Sequence, residues 1–98
     1  MYGRIGRMLT VPGERDALVE LLLVATRDMP GCLSYVIATD PADPHAIWIT
    51  EVWVDEASHA ASLTLPPVRG AIATARPWIA SFRETFVTAP VGGHGLGP

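Results

Sequence analysis

Trp53 and His59 stand six residues apart, one closing an apolar alternating run and the other inside a stretch of helical composition. Histidine is the side chain whose ordinary titration range lets it take a proton near neutral pH. The indole of Trp53 offers a flat apolar wall and a single N–H donor. Glu51 sits two residues earlier on the same apolar strand, where a carboxyl group needs a partner or a raised pKa. An Arg is the expected partner, and Arg83 is the candidate for it. Arg76 and Arg83 can also hold an anionic oxygen, although neither can act as a base. Tyr35, mid-strand on a neighbouring element, and Ser62, on the same helix as His59, complete the polar candidates. Each residue also has an ordinary structural role open to it: Trp53 in core packing, His59 on a half-exposed helix face, Arg76 at a helix C-terminus. Cys32, just after a glycine, fits a small buried hydrophobe.

Several chemistries are excluded by spacing. Asp55, His59 and Ser62 do not form a hydrolytic triad, since no nucleophile elbow frames a serine. His45, His59 and His94 fall in a loop, a helix and a tail, with no ligand pair one helical turn apart for a metal. Gly92-Gly93-His94-Gly95 precedes no helix, so no dinucleotide loop is present. Thus neither a metal nor a cofactor is expected. The formal net charge of −3 argues against nucleic acid. No apolar run approaches a membrane span, and the start MYGRIGRMLTVPGER lacks the apolar core of a signal peptide. A single Cys can form no internal disulfide, so the chain reads as cytoplasmic.

The elements that must position these residues are separated by clear breakers. YGRIGRMLT, residues 2–10, alternates as a strand, placing Tyr2, Arg4, Gly6 and Met8 on one face. Beyond Val11-Pro12-Gly13, Leu18, Leu21, Leu22 and Ala25 recur at helical spacing from Glu14 onward, and Met29-Pro30-Gly31 closes that helix. CLSYVIAT, residues 32–39, is rich in β-branched and aromatic side chains and forms the second strand. After the turn-forming segment Asp40–His45, AIWITEVWV at 46–54 is the third. Its two faces, Ile47-Ile49-Glu51-Trp53 and Trp48-Thr50-Val52-Val54, are both apolar enough to be buried. Asp55 caps a helix over EASHAASL. Pro66-Pro67 interrupts, helical spacing resumes over VRGAIATARPWIA, and SFRETFVT at 81–88 is the last strand.

The order β-α-β-β-α-β is the split βαβ, or ferredoxin-like, arrangement: an α+β domain with an antiparallel four-stranded sheet. Helices can cover only one face of that sheet, so a second copy is the simplest cover for the other. Residues 1–89 form the domain, and 90–98, APVGGHGLGP from Pro90 onward, read as a flexible Gly-rich tail.

Within this frame residues 29–82 resemble the antibiotic biosynthesis monooxygenase domain family. The markers are Pro30-Gly31-Cys32 before a strand containing Tyr35, Asp40-Pro41 in the turn, Glu51-Val52-Trp53 on the third strand, and His59 with Ser62-Leu63 on the following helix. The resemblance implies subunits that pair into a dimeric α/β barrel, each with a small cavity between sheet and helices that Trp53 lines. Some members oxidise phenols or quinols with O2 and no cofactor; others open haem, and some bind small molecules without known turnover. The haem-opening branch and the well-described phenol-oxidising branch both place an Asn beside the Trp, and this chain contains no Asn, a departure that counts against both and most against haem opening. The expectation is a cofactor-free oxidoreductase acting on a small aromatic substrate with O2. A non-catalytic binding module of the same fold is the alternative. His59 and Trp53 are the catalytic candidates; Tyr35, Glu51, Ser62, Arg76 and Arg83 are the substrate-binding ones.

Overall fold

Glycine and proline set the punctuation of this chain, and the elements between them pack as one sheet under three helices. The computed structural model describes residues 1–96. Strand β1 (Tyr2–Thr10) leads to α1 (Arg15–Ala25), then β2 (Cys32–Thr39) and β3 (Ala46–Trp53). Helices α2 (Glu56–Ser62) and α3 (Pro66–Ala75) follow, and a 3-10 turn (Arg76–Trp78) feeds β4 (Ile79–Thr88). The sheet order is β2-β3-β1-β4 with every pair antiparallel, which is the ferredoxin-like α+β arrangement.

Beyond shifts of a single residue, four boundaries differ from the sequence expectation, each for a local reason. Helix α1 stops at Ala25, well before Met29-Pro30, because Thr26 caps it: its backbone N–H donates to the Leu22 carbonyl at 3.1 Å and its hydroxyl to the same oxygen at 2.7 Å. Pro66 and Pro67 open α3 instead of interrupting it, since proline has no N–H to waste in a first turn. At the other end α3 closes at Ala75, because Pro77 lacks the N–H an α-helix needs there. Strand β4 accordingly begins at Ile79 instead of Ser81.

Register decides which side chains meet under the helices. Across the sheet Arg4 pairs with Glu51, Tyr2 with Trp53, and Tyr35 with Glu51. Ile47, Ile49 and Trp53 are buried against the helices, with Leu18 and Ala75 opposite them. Burial of each large side chain contributes about 1.5–3 kcal/mol. Gly31 matters here because its φ is 81° and its carbonyl accepts the Val54 N–H at 2.9 Å. A side chain at position 31 would also strike Ser58 of α2, so glycine lets the β2 entry pass directly beneath that helix.

The other sheet face has no helix over it. Ile5, Trp48 and Val52 are half-buried there, and Val36 and Phe86 are exposed, so among the described residues nothing supplies the cover expected from the apolar pattern. At one corner Arg7 grips Glu84 with both guanidinium and carboxylate engaged, at 2.6 and 3.0 Å, and holds the Glu84 pKa down at about 2. Residues 89–96 form neither helix nor strand. The rest of the expected tail, Gly97 and Pro98, lies outside the described residues. No helix is long and apolar enough to cross a membrane among the described residues.

Candidate active site

A cavity of about 290 Å³ lies between the helix-facing side of the sheet and helices α1, α2 and α3. Most of its wall is aliphatic: Met8 and Ile49 from the sheet, Leu22 and Met29 from α1 and its exit, Val68 and Ile72 from α3. Leu63, Ile72 and Phe82 are at once lining and exposed, so the rim is apolar too. Against this background the polar lining is concentrated in Tyr35, Glu51, His59 and Ser62, four of the sequence candidates.

The corner is built by the turn from β3 into α2. Asp55 accepts the Ser58 N–H at 2.8 Å and starts α2 immediately after the strand, and Ser58, through its side chain first and its backbone N–H second, holds the Asp55 carboxyl below the usual range. That short return brings His59 back over Trp53, the two rings meeting edge to face at 5.7 Å and 74°. Trp53 is buried and does not line the cavity; it stands behind the polar corner and shapes it. Its Nε1–H donates to Glu51 Oε1 at 2.9 Å, and His59 Nε2 lies 3.8 Å from that same oxygen. Glu51 thus finds the partner that burial on an apolar strand requires, but the partner is an indole and an imidazole instead of an Arg.

The remaining groups define the corner's capacity for protons. Ser62 donates its hydroxyl to the His59 carbonyl at 2.6 Å, so only its lone pairs are left for anything in the cavity. Burial, and then the Glu51 charge, push the Tyr35 phenol well above its ordinary pKa, so it stays an O–H donor. Burial likewise pushes the Cys32 thiol up. Arg76, at the 3-10 turn, and Arg83, on edge strand β4, are exposed and outside the cavity lining, and no Arg reaches ion-pair distance of Glu51 among the described residues.

Two residues joined this corner without having been singled out. Tyr2 packs against His59 with ring centroids 5.6 Å apart and the planes tilted by 41°, and Arg4 donates to the Tyr2 hydroxyl at 3.0 Å. Arg4 also lines a smaller adjoining hollow of about 130 Å³ with Glu51, Phe82 and Thr85. The alternation of β1 placed Tyr2 and Arg4 on the same face as Met8, but only the β1–β3 register sets them beside Trp53 and Glu51. Among the described residues no group of His, Cys, Asp and Glu is arranged to hold a metal.

The sequence profile of the antibiotic biosynthesis monooxygenases matches residues 1–74. The chain belongs to that family. The match spans β1 through nearly all of α3 and so includes every residue of the polar corner. Among solved structures, one from Chloroflexus aurantiacus, named as a candidate antibiotic biosynthesis monooxygenase, is 59% identical and superposes with a TM-score of 0.94 over 98% of each chain. A Deinococcus radiodurans structure of the same naming is 25% identical, with a TM-score of 0.78 over 95% of each chain. One from Nitrosomonas europaea shares the fold at 17% identity, TM-score 0.84, covering 92% of this chain and 89% of its own. Among curated proteins none matches. In this antibiotic biosynthesis monooxygenase domain the four polar residues of the cavity corner all lie within the matched segment.

Proposed function

We propose that this protein is a cofactor-independent monooxygenase that oxidises a small phenol or hydroquinone with O2. The observation that carries the reading is the placement of His59, Glu51 and Tyr35 together at one corner of an otherwise aliphatic cavity. A phenol must lose its proton before its ring can pass an electron to O2. His59 takes that proton, and the imidazolium so formed faces Glu51 Oε1 from 3.8 Å. The aliphatic wall keeps water from the oxygen-bearing intermediate. One oxygen atom ends on a ring carbon, the other leaves as water, and the phenol becomes a quinone. With Arg76 and Arg83 outside the lining, the phenolate is stabilised by the Tyr35 O–H and the protonated His59 instead.

Oxygen consumption on adding hydroquinones and anthrones tests this directly. Uptake matched to the substrate consumed is the expected result, and silence across the panel leaves the non-catalytic binding module as the correct reading. The working form we propose is a homodimer paired through the uncovered sheet face, where Val36 and Phe86 are exposed and Trp48 and Val52 are half-buried. Obligate interfaces of that kind often bury more than about 2,000 Å². Sedimentation should therefore show a dimer at micromolar concentration, and a stable folded monomer there would remove the claim.

A further inference from the structure

The hydrogen bonds of the polar corner are asymmetric, and the asymmetry says what kind of group it can receive. Its internal donors are mostly spent: the Trp53 N–H on Glu51 Oε1, the Ser62 hydroxyl on the His59 carbonyl, the Thr26 hydroxyl on the Leu22 carbonyl. What remains toward the cavity is weighted to acceptors, namely the second Glu51 oxygen, the Ser62 lone pairs and the His59 imidazole, with Tyr35 as the one phenolic donor. Among the described residues no Arg lines this cavity; Arg4 lines the smaller hollow, which adjoins it through Glu51, Met8, Ile49 and Phe82, and is bonded to the Tyr2 hydroxyl.

We propose that Glu51 is the specificity-determining residue of the cavity, selecting neutral aromatic molecules that donate a hydroxyl to the Glu51–His59 pair and rejecting carboxylates. This rests on the same site as the monooxygenase reading and narrows its substrate class. A carboxylate entering the corner would place like charge against Glu51 between aliphatic walls, with no guanidinium in the lining and no proton of its own to give His59. An ether or ketone of the same shape would leave the Glu51 oxygen without a donor. A hydroxyarene satisfies it, and hydrogen bonds to charged acceptors are the strong class. The volume, at the low end of the roughly 300–1,000 Å³ usual for ligand sites, suits one or two fused rings.

Calorimetric titration under nitrogen, where turnover cannot interfere, tests this with 2-naphthol, 2-methoxynaphthalene and 2-naphthoate. The naphthol is expected to bind at least about tenfold tighter than the ether, the value of one charge-assisted hydrogen bond, and the naphthoate weakest of the three. In Glu51→Gln, checked for folding by its melting curve, the naphthol-to-ether ratio should shrink several-fold while naphthoate binding improves. Equal affinity of naphthol and ether in the unmodified protein overturns the proposal. So does naphthoate binding as tightly as naphthol, or no naphthol binding at millimolar concentration. The two readings separate cleanly: selective binding without oxygen uptake keeps this proposal and removes the monooxygenase. Oxygen uptake without selectivity does the reverse.

Discussion

Trp53→Ala is expected to cost about 3–5 kcal/mol of stability, the range for emptying a tryptophan site in a core. Trp53 is only 1% exposed, and it is among the largest fully buried side chains of the domain. A domain of this size has about 5–15 kcal/mol in total, so the variant should melt well over ten degrees lower, at about 4–8 °C per kcal/mol. The loss is not packing alone. The indole N–H bonded to Glu51 Oε1 disappears as well, leaving a carboxylate oxygen half-buried with one partner fewer. Trp53→Phe separates the two contributions: it keeps most of the apolar volume and removes only the donor. If packing dominates, the phenylalanine variant recovers most of the melting temperature while still showing altered ligand binding at Glu51. A Trp53→Ala protein as stable as the parent would show that the ring is not the support of the α2 corner that its burial implies.

How much of this could be read from the residues alone follows from the range of the interactions involved. The strands were legible because alternation and breakers are local: Tyr2–Thr10 and Cys32–Thr39 coincide with the pattern, and Ala46–Trp53 ends one residue short of it. The convergence of Trp53 and His59 was legible too, since a capped turn at Asp55 leaves the chain little choice but to fold back over the indole. The end of α3 was less so, as one missing N–H at Pro77 outweighed a helical spacing that continued past it. The partner of Glu51 was misread for a different reason. Pairing it with an Arg assumes the nearest opposite charge prevails, whereas the strand geometry sets the indole two residues along on the same face within hydrogen-bond reach. Arg83 went instead to an exposed edge strand, and Arg4, the cation that register does place across from Glu51, bonds Tyr2. Cross-strand neighbours of this kind depend on register, which no single segment encodes.

His59→Ala carries the largest expected effect on rate, a fall of about 10²–10⁴-fold in kcat on any substrate that supports oxygen uptake, the usual consequence of removing a general base. The fold should survive. His59 lies on the short helix α2, whose cap at Asp55 and whose turn hydrogen bond from Ser62 to the backbone carbonyl of residue 59 do not need the imidazole. The ring does contact Trp53 and Tyr2, so a modest drop in melting temperature is expected, far smaller than for Trp53→Ala. The solvent isotope effect distinguishes a base from a mere packing group. With His59 present, proton transfer to it should give a solvent deuterium isotope effect on the rate, and this effect should change in the alanine variant. Glu51→Gln tests the companion role. If Glu51 stabilises the imidazolium across the 3.8 Å gap, its removal lowers the rate on the same substrate while leaving His59 in place. Exogenous imidazole entering the space left by His59→Ala should restore part of the rate. An alanine variant with full activity and an unchanged solvent isotope effect would make His59 a packing residue and remove it as the base.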